Sequence, residues 1–289
     1  MTMMSDLPGD LLEEILCRVP AISLKRLRSS CKRWNRLFSD KQFARKHLDK
    51  AAKQSLVFKV TQYSRARLMS VNLYGTPSVE FKGELSLPGS HLNAKQVKIS
   101  RVFHCDGLLL FTISSDTSIV LWNPFTGKNR WIQTRSTKNS YALGSYREST
   151  SGSSCYKILS YRVYNYEHEE FAIYEINSNT WRTLDVTSDF KLLYIGTSVS
   201  FKGKTYWFAS DREDEQLGMF LVSFDYTTER FGRLSLPCKY PLGFFSDVAL
   251  SVVGEEKLSV LLQPKNTQGK EIWVTNKIDG TKEVSWRKF

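Results

Sequence analysis

Cysteine is scarce in this sequence. The 289 residues contain five cysteines, which are widely separated and form no C-x-x-C pair, and no N-x-S/T glycosylation sequon occurs. Secreted domains often depend on disulfides, whereas the cytosol keeps thiols reduced. The N-terminus also lacks the basic and apolar regions of a secretory signal. These absences argue against a disulfide scaffold and predict an intracellular protein of the cytoplasm, the nucleus or both.

Long apolar runs are missing as well. A membrane-spanning helix needs about 20 consecutive apolar residues, and no segment approaches that length. The hydrophobic residues, 41% of the chain with 13% aromatic, are instead spread along it, as in a globular protein with a substantial core. We therefore expect a globular protein with no membrane partner.

Motifs of catalytic, cofactor and metal sites are also absent. No H-E-x-x-H or G-x-S-x-G motif occurs, and the four histidines show no zinc-ligand spacing. Gly203-Lys204-Thr205 resembles the end of a phosphate-binding loop, but Ser198 stands where that loop needs glycine, so we expect a hairpin turn. His104-Cys105 has no second ligand pair and is interpreted as structural. The sequence thus predicts no catalytic residue, no cofactor and no metal.

What the sequence does contain is an excess of positive charge near its start. The net charge is +12, and residues 1–54 carry 12 Lys and Arg against 6 Asp and Glu. The remaining residues carry 29 against 23, which is a mild excess over a much longer stretch. The N-terminal segment would therefore attract an acidic protein or a nucleic acid.

The apolar pattern up to about residue 54 is helical. A first helix presents one apolar stripe and is stopped by Pro20. A second short helix is predicted over residues 23–28 and a third over residues 30–38, with Asp40 capping a further short one. The stripe of the first helix consists of Leu11, Leu12, Ile15, Leu16 and Val19. The sequence predicts a small all-α domain of three helices at residues 1–50.

From residue 55 the pattern changes to short strands. Runs rich in Val, Ile, Tyr, Phe and Leu alternate with turn pairs such as Asp106-Gly107 and Asp279-Gly280, and no helical periodicity is visible. Residues 55–289 are therefore predicted to form an all-β domain. The segment 55–83 is strand-like but carries none of the repeat described next.

A repeat of about 50 residues runs through the β region. An apolar strand, a polar turn and a closing aromatic recur, and Trp131, Trp181 and Phe231 are spaced by 50 residues. A weaker fourth unit ends at Trp286. This period is typical of kelch-type β-propeller blades, with a meander in a β-sandwich as the alternative. We expect the ring to close through pairing of the 55–83 strands with the last strands, at 272–274 and 284–286, since strands from both chain ends commonly share one blade.

Two segments together resemble a known family. Residues 7–48, with the opening Leu7-Pro8 and the later CKRWNRL, resemble the F-box. The β region, including LWNPFTGKNRWI at 121–132 and FDYTTERFGRLSLP at 224–237, is similar to the F-box-associated domain of the large plant F-box family. Members of that family usually continue past the VSWRKF with which this chain stops, so the propeller is expected to be incomplete or unusually closed.

The resemblance implies a substrate-recognition adaptor of an SCF-type ubiquitin ligase. The F-box would bind the Skp adaptor and, through it, the cullin scaffold, while the β domain would hold the protein to be ubiquitinated. Three short helices bury too little surface to be stable alone, so a partner that covers their apolar residues is expected. The residues expected to contact the Skp adaptor are Leu7, Pro8, Leu11, Ile15, Leu16 and Leu24.

Two other functions stay open at this point. The segment LKRLRSSCKRW at 24–34 is compatible with a helix-turn-helix that binds DNA, although the Leu-Pro opening and the β domain would then be unexplained. Kelch-type propellers also include enzymes, so the β domain could carry catalytic residues dispersed over its loops.

Overall fold

The computed structural model covers all 289 residues. Its description here includes residues 7–19, 24, 27, 32–38, 40, 42–43 and 46–47, the strand backbones at 55–60, 66–72 and 78–84, and residues 99–289 except for short gaps. Those gaps are 115–116, 124–125, 135, 137–138, 149–153, 165–167, 255, 266–268 and 279–282. The chain forms two compact units, Met1–Val102 with Gly107–Thr137, and Phe103–Asp106 with Lys138–Phe289.

The helical part begins with α1 (Gly9–Leu16), as the apolar stripe predicts. Pro8 precedes the helix, with a φ that suits this position. The predicted helix extends to Val19, but here the backbone tightens: Arg18 N–H bonds to the Ile15 carbonyl, and Val19 N–H to that of Leu16. Such short-range bonds satisfy the carbonyls of a helix end. The stop thus comes one turn ahead of Pro20.

The remaining helical residues complete a small core. The second helix described is α2 (Lys32–Leu37), inside the predicted 30–38. Leu24 and Leu27 are helical, whereas most of the predicted 23–28 helix and Cys31 lie outside the described residues. The buried members of this helical core are Leu12, Leu16, Cys17, Leu24, Phe38 and Phe43. Trp34 and Leu27 pack against it from its edge, so both belong to the domain's own interior.

The β region consists of antiparallel sheets whose strands follow chain order. One has three strands, β1 (Ser55–Val60), β2 (Ala66–Asn72) and β3 (Ser78–Glu84). Four further sheets have four strands each. The first of these consists of β4 (Ile99–Cys105), β5 (Leu108–Ile113), β6 (Ser118–Trp122) and β7 (Asn129–Gln133), and the second of β8 (Ser140–Arg147), β9 (Ser154–Tyr164), β10 (His168–Glu175) and β11 (Thr180–Thr183). The third consists of β12 (Phe190–Phe201), β13 (Lys204–Asp211), β14 (Met219–Asp225) and β15 (Arg230–Leu234). The fourth consists of β16 (Phe245–Val253), β17 (Lys257–Pro264), β18 (Glu271–Thr275) and β19 (Trp286–Lys288).

The sequence repeat corresponds to these four-stranded sheets. Each closing aromatic lies in the fourth strand of its sheet: Trp131 in β7, Trp181 in β11, Phe231 in β15 and Trp286 in β19. Successive four-stranded meanders are the blades of a propeller, so the predicted all-β, propeller-like architecture is confirmed. Among the described residues after 55, the only helical segment is one 3-10 turn, Glu215–Leu217.

The expected pairing between the two ends of the β region is wrong for the described strands. β1, β2 and β3 pair with one another, while β18 and β19 join β16 and β17 in the last sheet. The 55–83 segment supplies enough strands for a sheet of its own, because β1 pairs with β2 and β2 pairs with β3. It therefore needs no strand from the chain end to satisfy its central strand.

The sheets of the larger β unit are joined by an aromatic core. Tyr161 of β9 and Trp207 of β13 meet edge-to-face, with ring centroids 5.6 Å apart, and the Trp207 Nε1–H donates to the Tyr161 hydroxyl at 3.0 Å. Both side chains are buried. The contact joins the β8–β11 sheet to the β12–β15 sheet, so these two sheets share a packed core. Among the residues described, none of the helices has the length and apolar character that crossing a lipid bilayer requires.

Candidate functional site

Helix α1 exposes apolar side chains on a face that the helical core does not use. Leu12 and Leu16 point inward and are buried. Leu11 and Ile15, four residues apart and so on one face, are 54% and 40% exposed. A surface helix of a globular domain normally has a single apolar stripe. The outer pair therefore forms a second apolar surface, which is available to a partner.

The other predicted contact residues divide between this surface and the core. Pro8 is exposed and lies three residues before Leu11, on the same side of the helix start. Leu7 is half-buried against the helical core. Leu16 and Leu24 are fully buried within that core. We call Pro8, Leu11 and Ile15 the outer face of α1; Leu16 and Leu24 support it from within.

Local contacts hold the outer face in place. Asp40 Oδ1 accepts the backbone N–H groups of Gln42 and Phe43 at 2.7 and 3.0 Å, which caps the short helical turn there. The ring of Phe43 is buried beneath α1 in the helical core. His47 Nε2 lies 2.6 Å from the Val19 carbonyl, and burial lowers the pKa of this histidine, so it is neutral at physiological pH. The segment after α2 is thus fixed to the end of α1.

The charges around α1 are mixed, and two of its three carboxylates, those of Glu13 and Glu14, are paired with cations. Lys46 Nζ donates to Glu13 at 2.6 Å, a bond that raises the pKa of the lysine. Arg18 pairs with Glu14 at 2.7 Å. On α2, Lys32 is exposed and supports the net positive charge of this segment. The outer face is therefore an apolar surface on a segment of net positive charge, which favours an acidic partner with an apolar groove.

A second candidate site is a cleft in the β domain. It has a volume of about 850 Å³ and lies among the segment 185–190 that precedes β12, residues 211–213 after β13, and Arg230 and Phe231 of β15. Phe190 and Phe231 meet there edge-to-face at 5.0 Å. The sequence interpretation did not identify this cleft. Its signal was present, because residues 211–215 read Asp-Arg-Glu-Asp-Glu in a strongly basic chain.

Two residue groups that the sequence raises as candidates for chemistry, at Gly203 and at Cys105, are structural in this molecule. Gly203 has φ +75° in a two-residue turn with Lys202, as a hairpin requires, so the predicted turn is confirmed. Burial raises the pKa of the Cys105 thiol to about 12, so it is not poised as a nucleophile. Within the described residues, no three His, Cys, Asp or Glu side chains are grouped as metal ligands would be.

The tryptophans of the repeats also belong to the packing of the sheets. Trp207 is fully buried. Trp131, Trp181, Trp273 and Trp286 are half-buried in strands, and Trp122 packs its ring against Phe111. All six lie in strands and none is displayed on a loop, so they do not form a ligand-binding aromatic cage.

Comparison with known proteins identifies both parts of the chain. Residues 4–46 match the F-box domain, and residues 56–289 match the F-box associated beta propeller domain. Among curated Arabidopsis thaliana proteins, a probable F-box protein is 58% identical over 98% of this chain and 68% of its own length. An F-box/kelch-repeat protein is 48% identical over 98% and 75%, and a further F-box protein is 46% identical over the same shares.

Proposed function

Since this chain belongs to the family of F-box proteins with an F-box-associated β-propeller domain, we propose that it is the substrate-recognition subunit of an SCF-type E3 ubiquitin ligase. In this role the helical domain, residues 1–50, binds a Skp-family adaptor and through it the cullin scaffold. The β domain, residues 55–289, binds the protein to be ubiquitinated. The ligase is intracellular, in the cytoplasm, the nucleus or both.

The outer face of α1 is the observation that supports this proposal most directly. Leu11 and Ile15 leave a large apolar area in water, although the buried side chains already complete the helical core. Burying an isoleucine or leucine side chain contributes about 1.5–3 kcal/mol of favourable free energy, so covering this pair would strongly favour association with a partner. A helical partner with an apolar groove would remove both side chains, together with Pro8, from water.

The proposed role also requires no catalysis by this chain. An adaptor brings the substrate to a transfer site on other subunits, so its contribution is positioning rather than bond chemistry. Rigid packing of the β sheets suits this task, because a bound substrate must be held at a fixed distance from the transfer site. The buried aromatic contacts of the β8–β15 sheets provide such a scaffold.

The test is co-purification of the Skp adaptor with single variants. Ile15→Asp places a charge in the proposed interface, and we expect it to weaken adaptor binding by about thirtyfold or more, the effect of losing about 2 kcal/mol at an interface hot spot. The double change of Leu7 and Pro8 to alanine should abolish co-purification while the β domain stays folded.

Val253→Asp is the matched control for this experiment. Val253 is an aliphatic residue of β16 that is 44% exposed, close to the 40% of Ile15, but it lies in the other domain. We expect this variant to bind the adaptor like the unchanged chain. Undiminished binding by Ile15→Asp, with the variant still folded, would contradict the assignment of the outer face.

A further inference from the structure

The β-domain cleft combines an apolar floor with acidic walls. Phe231 is half-buried and Phe190 is buried, and both rings contribute to the floor together with Val186. Asp185, Asp189, Asp211 and Glu213 supply four carboxylates to the lining, against the guanidinium groups of Arg212 and Arg230. The lining thus has two more carboxylates than guanidinium groups, although the protein as a whole has a net charge of +12.

Part of this negative charge is paired with an arginine of the same domain. Arg233 bridges Asp189 and Asp211, with 2.8 Å to each carboxylate. Backbone N–H groups of Asp214 and Glu213 also bond to Asp211, and together with Arg233 they lower the pKa of its carboxyl to about 2. Asp211 is thus permanently ionised at physiological pH, and its charge fixes the turn at the end of β13.

Arg212 connects the two chain segments that line the cleft. Its guanidinium donates to the Ser188 carbonyl, the Ser188 hydroxyl and the Phe190 carbonyl at 3.1–3.2 Å. These bonds fasten the segment before β12 to the turn after β13, so both walls of the cleft are held in place. The arginine acts as a clamp between two pieces of backbone.

Two carboxylates remain available to a ligand. Asp185 and Glu213 are exposed, and in the part of the chain that the structure describes neither has an ion pair or a hydrogen bond through its side chain. They come from two different connections that line the cleft, one before β12 and one after β13. The aromatic floor offers a surface for aliphatic stems and for cations, which rest favourably against ring faces.

We propose that this cleft binds a segment of the recognised protein that carries arginine or lysine. The cation of such a side chain would be placed between Asp185 and Glu213, while its methylene stem would lie along Phe190 and Phe231. This inference rests on the proposed function, since it specifies the chemistry of the substrate that the β domain receives. Substrates with a basic, extended segment are the class it selects.

The experiment measures peptide binding to the full chain by fluorescence anisotropy. The probe is a fluorescein-labelled octapeptide, Gly-Ala-Arg-Ala-Ala-Arg-Ala-Gly, compared with versions in which both arginines are glutamine or glutamate. We expect the arginine peptide to bind about tenfold more tightly than the glutamine peptide, with an affinity that falls as salt is added. The double variant Asp185→Asn, Glu213→Gln should bind it about fivefold more weakly, as expected for losing two partly screened ion pairs.

The matched control is Asp247→Asn, Glu283→Gln, which makes the same two amide changes at exposed carboxylates outside the cleft. This variant should keep the affinity of the unchanged chain. The inference is overturned if the arginine peptide binds no better than the glutamine peptide, if the glutamate peptide binds best, or if the control loses as much affinity as the cleft variant.

Co-purification with the Skp adaptor is measured on the same unchanged chain that is tested with the arginine peptide, so that the two proposals can fail separately. Adaptor binding without binding of the arginine peptide would remove the cleft proposal alone. Peptide binding without adaptor binding would leave a basic-peptide module and remove the ligase role.

Discussion

Gly144 in β8 shows how a single residue can limit the packing of two sheets. A β-carbon at this position would overlap the ring of Tyr226, which follows β14 and is completely buried. The Tyr226 hydroxyl is bonded to Thr205 Oγ1 at 2.9 Å and its N–H to the Gly203 carbonyl at 3.0 Å. The ring cannot move without breaking one of these bonds. Glycine is needed here for space, since its φ is not in the left-handed region.

The change Gly144→Ala should destabilise the β domain by about 3 kcal/mol or more, at the upper end of what overpacking in a core produces. Urea unfolding of the purified protein gives the measurement. Gly232→Ala in β15 is the control, because its β-carbon would meet Ser223 Oγ at an ordinary 3.4 Å. Alanine there should be neutral or stabilise by up to about 1 kcal/mol. A Gly144→Ala protein as stable as the control would contradict this account.

At the same scale, the sequence predicted which residues are buried better than it predicted the sites. Apolar periodicity correctly placed Leu12 and Leu16 in the apolar stripe of the first helix, but periodicity cannot tell an inner face from an outer one when both are apolar. The sequence therefore predicts the adaptor contacts as one set, whereas the structure divides them between the outer face of α1 and the helical core. The cleft was missed because Asp185 and Glu213 are 28 positions apart in the chain, and only the folding of β12 onto β13 brings their segments together.

At the scale of the elements, the turn between β14 and β15 links its own sheet to the neighbouring one. Glu229, with φ +55°, reaches from this turn to the neighbouring sheet. Its carboxylate pairs with Lys157 of β9 at 2.7 Å and with Arg182 of β11. Lys157 is buried and also contacts Glu175 at 3.6 Å and the Tyr226 carbonyl at 3.2 Å. Two cations and two carboxylates thus connect the β8–β11 sheet with the β12–β15 sheet.

This network predicts a loss of stability in acid. Burial raises the pKa of Glu229, but its bonds to Arg182 and Lys157 outweigh burial and leave the pKa below the ordinary value. A carboxyl with a lowered folded-state pKa binds fewer protons when folded than when unfolded. Its contribution is therefore complete above the ordinary glutamate pKa of about 4.3 and is lost as pH falls through the folded value.

Glu229→Gln should lower the stability at pH 7 by about 1–2 kcal/mol, because it leaves a buried ammonium with one weaker partner. It should also flatten the fall in stability between about pH 5 and pH 3. Urea unfolding across this range tests both statements. The control is Glu256→Gln, which removes an exposed, solvent-screened pair with Lys277 and should leave the stability almost unchanged. Equal effects of the two variants would mean that the connecting network contributes no more than a surface ion pair.

For the molecule as a whole, the proposed boundary between residues 50 and 55 separates helix from strand. The repeat of closing aromatics predicted the four-stranded sheets, since their spacing follows from one blade per unit. The partner sheet of the 55–84 strands could not be predicted the same way. Those strands lack a repeat, and strand propensity alone does not select between two available edges.

Residues 55–289, produced without the helical domain, should give a β-type circular dichroism spectrum with almost no helical signal. Among the described residues of this range, Glu215–Leu217 is the only helical turn. The full chain, measured in parallel, should add the helical contribution of residues 1–50. A strongly helical spectrum for the shorter fragment would show that the division into domains is wrong.

The β12–β15 sheet differs at its two ends. At one end, Lys202-Gly203 joins β12 to β13 in a tight turn, and residues 226–229 join β14 to β15. At the other end the connections are longer, residues 184–189, 212–218 and 235–244, and the first two of them contribute to the lining of the cleft. Hairpin register is set by the tight turns, so the longer connections can be lengthened, shortened or rewritten without shifting a strand. Related chains that share this framework can thus differ in these connections while the strands keep their register, and a loop grafted between β13 and β14 that retains Arg212 should leave the sheet intact.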